Sequence, residues 1–565
     1  MIQISNKMIR ASAGTGKTYQ LTNRFIKLLL CGLPVERIIA LTFTRKAAGE
    51  FFEGILTKLA KAASEPTEAR KLAEEISMPD INQAEFRGAL RRLVDSMGQL
   101  SLGTIDGFFN RIIMMFSLEF GLGGEFEMMS EFEQQQARLL VLEMLLEENT
   151  ARREDRESLI ETFRLSTAGK DDRRFVSSFE KYLENCHELW LRVPDPSRWG
   201  DPDRLWPKGN LWPSQAMDRV VKVAEWRELI AGESFGKSVQ NGFSAMADHL
   251  ATWMPGRELL AKSKTLMLRA LENLDELDQG TWVFKFGNAK ALNTPSEKFS
   301  QQLAVILRQC VAEELASRLG RTRGVFGLMA AFEQRYDAQV RRPGKLSFVD
   351  LPVLLDARED RLDLEYRMDG AFDHWLLDEF QDTSLLQWQS IANLVDEVVQ
   401  DPEGRRGFFC VGDQKQSLYQ WRGGDPRLFD RIEQRYSEGI ESSSLDESWR
   451  SVPNVLAMVN EVFGDSQVLA SDTFNSVAGE RWNNGWRKHT AAKPLVEKKG
   501  HAMYITVDDV DNRWAVLQHL LEQLQPIEHG LECAILVQKN DTVREVVNFL
   551  RGALPNVPMM GESAT

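Results

Sequence analysis

With 565 residues, 43% hydrophobic and 27% charged, the chain has an ordinary globular composition and is too long for one core, so three or four domains are expected. No apolar run approaches the roughly 18–20 residues needed to cross a bilayer, and Met8-Ile9 leads straight into a glycine-rich loop without a signal-peptide core, so no membrane association is expected. The net charge of −14 excludes a surface that holds nucleic acid by overall basicity, while cations gathered in one groove remain compatible with such a partner.

Lys7-Met8-Ile9-Arg10 reads as the end of a strand, followed by a loop and a helix from about Lys17. Leu21, Phe25, Leu28 and Leu29 share one face of that helix, and Gly32 with Pro34 ends it. Ile38-Ile39-Ala40-Leu41 is a buried-strand run, and Thr44 suits the N-cap of a helix through Ala47, Phe51, Ile55 and Leu59. Gln99 to Ile105 gives a third strand and leads into a helix through Phe108 and Ile112. From about 119 to 345 the pattern is helical, with an irregular Trp- and Pro-rich patch between Trp190 and Trp212. Strand–helix alternation returns at Trp375-Leu376-Leu377 and Phe408-Phe409-Cys410-Val411, and again at Ala502 to Val507 and Ala534 to Val537. The fold class expected is α/β: a parallel-sheet domain (1–118 and 346–440) interrupted by a helical insertion (119–345), then a second α/β domain (441–565). Within the insertion Arg321, Arg323, Arg335, Arg341 and Arg342 form a basic stretch, readable either as a phosphate-binding flank or as a solvated helical face. The five cysteines (31, 186, 310, 410 and 533) are scattered without a CxxC pair, so neither disulfides nor a cysteine-held metal is expected, and a cytoplasmic location fits.

Two segments carry chemistry. Ala11-Ser12-Ala13-Gly14-Thr15-Gly16-Lys17-Thr18 lies between a strand and a helix, the context a phosphate loop requires. Gly14 and Gly16 free backbone N–H groups to face a polyphosphate, Lys17 is placed for the β- and γ-phosphates, and Thr18 for Mg2+. Such a loop demands a carboxylate at the end of a neighbouring apolar strand, and Trp375-Leu376-Leu377-Asp378-Glu379 supplies one. Asp378 is the candidate Mg2+ ligand and Glu379 the group that orients or deprotonates the attacking water, so ATP hydrolysis is the expected reaction.

Around that carboxylate the text LLDEFQDTSLLQW resembles the UvrD/Rep group of superfamily-one DNA helicases, and ASAGTGKT looks most like the RecB and AddA branch. The resemblance continues in order through LTFTRKAAGEF (41–51), GTIDGFFNRI (103–112), LSFVDLPVLL (346–355), VGDQKQSLYQWRGGDP (411–426) and LDESWRS (445–451). It implies a RecA-like P-loop NTPase domain, a 1B-like helical insertion and the start of a second RecA-like domain. It further implies Gln381 beside the nucleotide water, Gln416 sensing the γ-phosphate, Arg450 reaching that phosphate and Trp449 stacking on adenine. Tyr419, Trp421 and Arg422 would grip single-stranded DNA by stacking and phosphate pairing, with Thr42, Phe43, Thr104 and Phe108 along the strand path. Phe43, Phe108 and Trp421 can equally be core rings. The implied function is an ATP-dependent helicase tracking 3′ to 5′ on single-stranded DNA and acting at duplex junctions in repair or recombination, with a helicase–nuclease partner subunit in view.

Several positions depart from the family. Asp106-Gly107 stands where short members have His-Ser, Trp449 replaces a Tyr, and only Gln3 is available as the glutamine that reads adenine. Glu532 to Thr565 resembles the stretch just before motif V, so the reading expects a fragment lacking motifs V and VI that hydrolyses ATP slowly. Two other classes compete: a nucleotide-dependent regulatory switch, and a structural subunit with a decayed motor. The aromatic–arginine cluster argues against the first, and intact Lys17, Asp378, Glu379, Gln416 and Arg450 against the second.

Overall fold

The computed structural model describes residues 4–123, 125–148, 175–205, 218–260, 264–285, 292–356, 372–417, 424–465 and 476–562. The chain divides into two compact units, Met1–Leu445 and Asp446–Thr565.

The first unit is built on six strands: β1 (Lys7–Ala11), β2 (Ile38–Thr42), β3 (Ser101–Thr104), β4 (His374–Leu377), β5 (Gly407–Gly412) and β6 (Glu441–Leu445). Their spatial order is β3-β2-β4-β5-β1-β6, and every pairing is parallel. The inner strands β2, β4 and β5 are buried along their whole length because both faces are covered, and the two-residue period divides the apolar residues between two cores. Met8, Ile39, Leu41, Trp375, Leu377, Phe408 and Cys410 pack with Phe109, Ile113 and Trp388. Ile9, Ile38, Ala40, Leu376, Phe409 and Val411 pack with Phe25, Phe51 and Phe86 on the other face. Thr44 caps the helix Arg45–Ser64 by accepting from the Ala47 N–H, as its sequence position predicts. β6 is the strand that periodicity does not reveal. Its sequence, Glu-Ser-Ser-Ser-Leu, is polar because it lies at a sheet edge, and it pairs with β1 from Lys7↔Glu441 to Ala11↔Leu445. The segment 441–445 thus belongs to the first unit's sheet.

The helical insertion holds two cores of its own. One gathers Trp226, Phe243, Trp282, Phe284 and Phe299; the other gathers Val141, Leu142, Trp199, Leu328, Phe332 and Tyr336. The helix Glu297–Tyr336 serves both, burying Leu303 and Leu307 in the first and Met329 and Phe332 in the second. It runs into a π-helical turn, Asp337–Arg341. There Arg341 is buried and donates to Glu333 (2.6 Å), Asp337 (2.9 Å) and Asp350 (3.0 Å). Arg342 pairs with Asp337, Arg318 with Glu314, and Arg323 donates to the Gly200 carbonyl. Arg323, Arg341 and Arg342 are therefore engaged within the protein, and Arg341, being buried, belongs to neither a solvated face nor a phosphate-binding flank.

The second unit contains the helices Pro453–Phe463, Ser476–Gly485, Arg513–Leu524 and Asn540–Ala553, and a short parallel pair joining Glu447–Ser448 to Thr490–Ala491. Ala502 to Val507 and Ala534 to Val537, expected as strands, are not strands here: no ladder is formed by either, and Tyr504 and Leu536 are 81% and 94% exposed. An apolar run becomes a strand only when a neighbour takes its backbone hydrogen bonds, and none of the described residues does so. Among the described residues no helix is long and apolar enough to cross a membrane.

Candidate active site

The carboxyl ends of β1, β4 and β5 lie along one edge of the parallel sheet, and the loop following each carries the polar residues. After β1, buried Ser12 donates its N–H to the Leu445 carbonyl (3.2 Å). The Thr15 N–H and hydroxyl both return to the Ser12 carbonyl (3.3 and 2.8 Å), closing the loop. Gly14 (φ 74°) and Gly16 (φ 91°) occupy the left-handed region, which explains glycine at both positions. Gly16 begins the helix Lys17–Leu30, which has no side-chain cap and no acidic residue in its first turn. The positive helix end is left for an anion, with Ala13 and Thr18 exposed beside it.

The Lys17 side chain is only 10% exposed, and its ammonium donates to Glu379 Oε2 at 2.5 Å. Glu379 follows β4 and Asp378, whose N–H extends the ladder to the Leu41 carbonyl (2.8 Å). Glu379 is left-handed (φ 48°, ψ 41°), a conformation costing a non-glycine residue about 1–2 kcal/mol, and held here by the contacts of its side chain. Asp378 is 6% exposed. Burial, then the adjacent Glu379 charge, pushes its carboxyl up to about 6, against the pull of the Glu379 N–H (2.9 Å) and Lys17. A carboxylate so poorly compensated is a fitting ligand for a cation. Among the described residues no group of three His, Cys, Asp or Glu could hold a metal alone. Thr18 and Asp378 suit Mg2+, which takes few protein ligands and keeps waters and phosphate oxygens.

Gln381, in the turn Phe380–Asp382, joins this carboxylate to the β5 loop. Its Nε2 donates to Glu379 Oε2 (2.7 Å), and its Oε1 accepts from the Asp413 N–H (2.9 Å). A Cβ at Gly412 would lie 2.4 Å from that Oε1 and 2.7 Å from the Phe429 ring, so the approach requires glycine. The Asp413 carboxylate in turn accepts from Gln416 Nε2 (2.6 Å) and from the Lys415 N–H (3.1 Å). Lys415 Nζ reaches back to Ser12 Oγ at 3.1 Å. Thus Lys17, Asp378, Glu379, Gln381 and Gln416 are brought into one network with the phosphate loop. Asp413 and Lys415 are its unforeseen members. Asp413 follows β5 as Asp378 follows β4, which is the signal that could have identified it.

The remaining expectations divide. Trp449 and Arg450 lie in the second unit, both exposed, where the N–H groups of Arg450 and Ser451 donate to Ser448 Oγ (3.3 and 3.2 Å). Tyr419, Trp421, Arg422 and Gln3 fall outside the described residues. Phe108 is 3% exposed, its ring edge-on to Trp375 (5.7 Å) and Phe372 (5.9 Å), because its helix turns that face to the sheet, which fits the core-ring reading. Thr42 is likewise buried, donating to the Thr44 carbonyl (3.0 Å), while the Thr104 hydroxyl caps its helix through the Gly107 N–H (3.0 Å). Phe43 is partly exposed. Asp106 accepts from Gln387 (2.7 Å), tying two helices together where a DNA contact was in question.

Residues 3–437 match the UvrD/REP helicase N-terminal domain family. The chain is similar to an ATP-dependent helicase/nuclease subunit of Streptococcus equi subsp. zooepidemicus (strain H70), 23% identical over 485 residues, covering 81% of this chain and 37% of that protein. To the protein of the same name from Streptococcus pyogenes serotype M12 (strain MGAS2096) it is 21% identical over 541 residues, covering 90% and 41%. The chain thus spans about two fifths of the length of the curated relatives it matches.

Proposed function

The chain belongs to the UvrD/REP helicase family, and from that premise we propose that it is the ATP-hydrolysing part of a DNA helicase that tracks 3′ to 5′ on single-stranded DNA in repair or recombination. The observation carrying this reading is the continuous bonding from Lys17 through Glu379 and Gln381 to Asp413 and Gln416, which links three strand ends.

The helix N-terminus at Gly16 and the Lys17 ammonium bind the β- and γ-phosphates of ATP, Lys17 exchanging its Glu379 partner for phosphate oxygens. Glu379, released from the ion pair but still held by Gln381, orients a water and accepts its proton. The water oxygen attacks the γ-phosphorus, the bond to the bridging oxygen breaks, and ADP and phosphate result. Thr18 and Asp378 would hold Mg2+, which would neutralise charge on the phosphate oxygens. Gln416 senses the γ-phosphate, and its attachment to Asp413 passes that state to the segment bearing Tyr419, Trp421 and Arg422. Aromatic stacking and phosphate pairing in that segment couple hydrolysis to grip on DNA. By the family resemblance, adenine stacking and a charge-stabilising cation are the roles proposed for Trp449 and Arg450. The relatives are named subunits of a helicase/nuclease, which supports a partner subunit for this protein.

The test is ATP turnover with and without a single-stranded oligonucleotide. Turnover should rise with DNA and fall by at least 10²-fold in Lys17→Ala and in Glu379→Gln, with the fold retained. Turnover indifferent to both substitutions would remove the site from the mechanism.

A further inference from the structure

The second unit carries a group of aromatic rings outside its own core. That core comprises Leu521, Val546 and Leu550, with Trp514, Leu517, Val537, Leu554 and Met559 against it. Phe463, Trp482 and Trp486 take no part; they pack on one another instead. Trp482 and Trp486 are four residues apart across the end of the helix Ser476–Gly485 and stack at 5.7 Å with 19° between planes. Trp486 stacks in turn on His489 (4.9 Å, 13°), and Phe463, 48% exposed, leans on both tryptophans at 6.2 Å. The backbone is fitted to this arrangement. The Trp482 indole N–H donates to the Phe463 carbonyl (2.8 Å), and a Cβ at Gly464 would come within 2.9 Å of Trp486 Nε1.

The surroundings are cationic in an acidic chain. Between Ser476 and His501 there are six Lys and Arg against two Glu, with Arg487 paired to Asp446, and Glu461 and Asp465 flank Phe463, while the whole chain carries −14. Arg481, Lys488 and Lys493 are exposed. Partly exposed rings with exposed cations close by in the chain match one ligand chemistry: flat bases strung on a phosphate backbone.

We propose that Phe463, Trp482 and Trp486, together with Arg481, Lys488 and Lys493, form a second binding surface for single-stranded DNA, separate from the segment after Gln416. Bases stack against the exposed part of Phe463 and the side of Trp482 away from Trp486, and phosphates pair with the cations. The inference rests on the reading that this protein engages single strands, and it places an additional grip within the unit Asp446–Thr565.

Two measurements on the whole chain test it: oligo(dT) binding across a salt series, and photocrosslinking to an oligonucleotide bearing 5-iodouracil. In the triple variant Arg481→Ala/Lys488→Ala/Lys493→Ala, the slope of log Kobs against log salt should fall by about 2, roughly 0.7 for each phosphate no longer neutralised, with an unchanged melting temperature. Crosslinks should map to peptides containing Trp482 or Trp486, and Trp486→Phe, which keeps a ring, should retain them. An unchanged slope with crosslinks only elsewhere, in a chain that still binds oligo(dT), overturns this surface and leaves the proposed function standing. A chain that binds no oligo(dT) at any salt concentration overturns both.

Discussion

At the residue scale the site trades stability for chemistry. Asp378 is held where burial and Glu379 raise its carboxyl to about 6, above the ordinary 3.8. Folding therefore favours the protonated form, and the penalty grows as pH rises from about 4 through 6 and is complete above that. Asp378→Asn should abolish turnover yet raise stability near neutral pH by up to about 3 kcal/mol, a gain visible in thermal melts. His374 acts in the opposite sense. It is buried in β4, neither ring nitrogen has a hydrogen-bond partner among the described residues, and burial and then Arg24 bring its pKa down to about 4. Its contribution is present above pH 6.5 and is lost as pH falls toward 4, by about 3 kcal/mol. The two effects oppose each other over nearly the same window. Melts from pH 7 to 4 should therefore show a steeper acid loss in Asp378→Asn than in the parent chain, and a shallower one in His374→Leu. Parallel curves for all three proteins would contradict both assignments.

At the scale of elements, the join between the helical insertion and the motor sheet depends on the turn Asp337–Arg341. The guanidinium of Arg341 bonds three carboxylates there, one of them Asp350 at the start of the helix Asp350–Asp356. Asp350 also accepts from the Ser347 N–H and hydroxyl and from the Tyr336 hydroxyl, so the long helix and the strand-to-helix connection share one buried carboxylate. Removing only the cation strands those acids. Arg341→Ala should cost about 3–5 kcal/mol, read as a lowered urea midpoint. Arg342→Ala, whose partner Asp337 is reached from the surface, should cost no more than about 1 kcal/mol. Equal small losses would show that the network is not structural.

At the scale of the molecule, the two units differ in how their extended segments are satisfied. β4 and β5 have neighbours on both sides and are buried on both faces. Ala502 to Val507 and Ala534 to Val537 form no ladder and stand largely exposed. Hydrogen exchange should therefore leave amides 502–507 and 534–537 unprotected while those of 374–377 and 407–412 exchange slowest, since protection follows buried and bonded backbone. Comparable protection in both sets would mean that the second unit's segments are paired in solution.

The sequence by itself determined the parallel α/β core and singled out most of the residues that the structure gathers into the candidate site. Apolar strand runs, the Gly14 and Gly16 spacing and the acid pair after β4 are local requirements, written in consecutive residues. It also placed Thr44 and the helix Lys17–Leu30, where caps and periodicity are short-range effects. Tertiary structure decided what depends on neighbours distant in the chain. β6 is polar and is a strand only because β1 offers it an edge. Phe108 and Thr42 are internal because their elements face the sheet, and Arg341 is a core cation because Asp350 and Glu333 converge on it. Asp413 and Lys415 join the site through Gln381 and Ser12, more than 30 and about 400 residues away along the chain. A residue type and its spacing state what a side chain can do, whereas which partner it meets is fixed only when the strands are laid side by side.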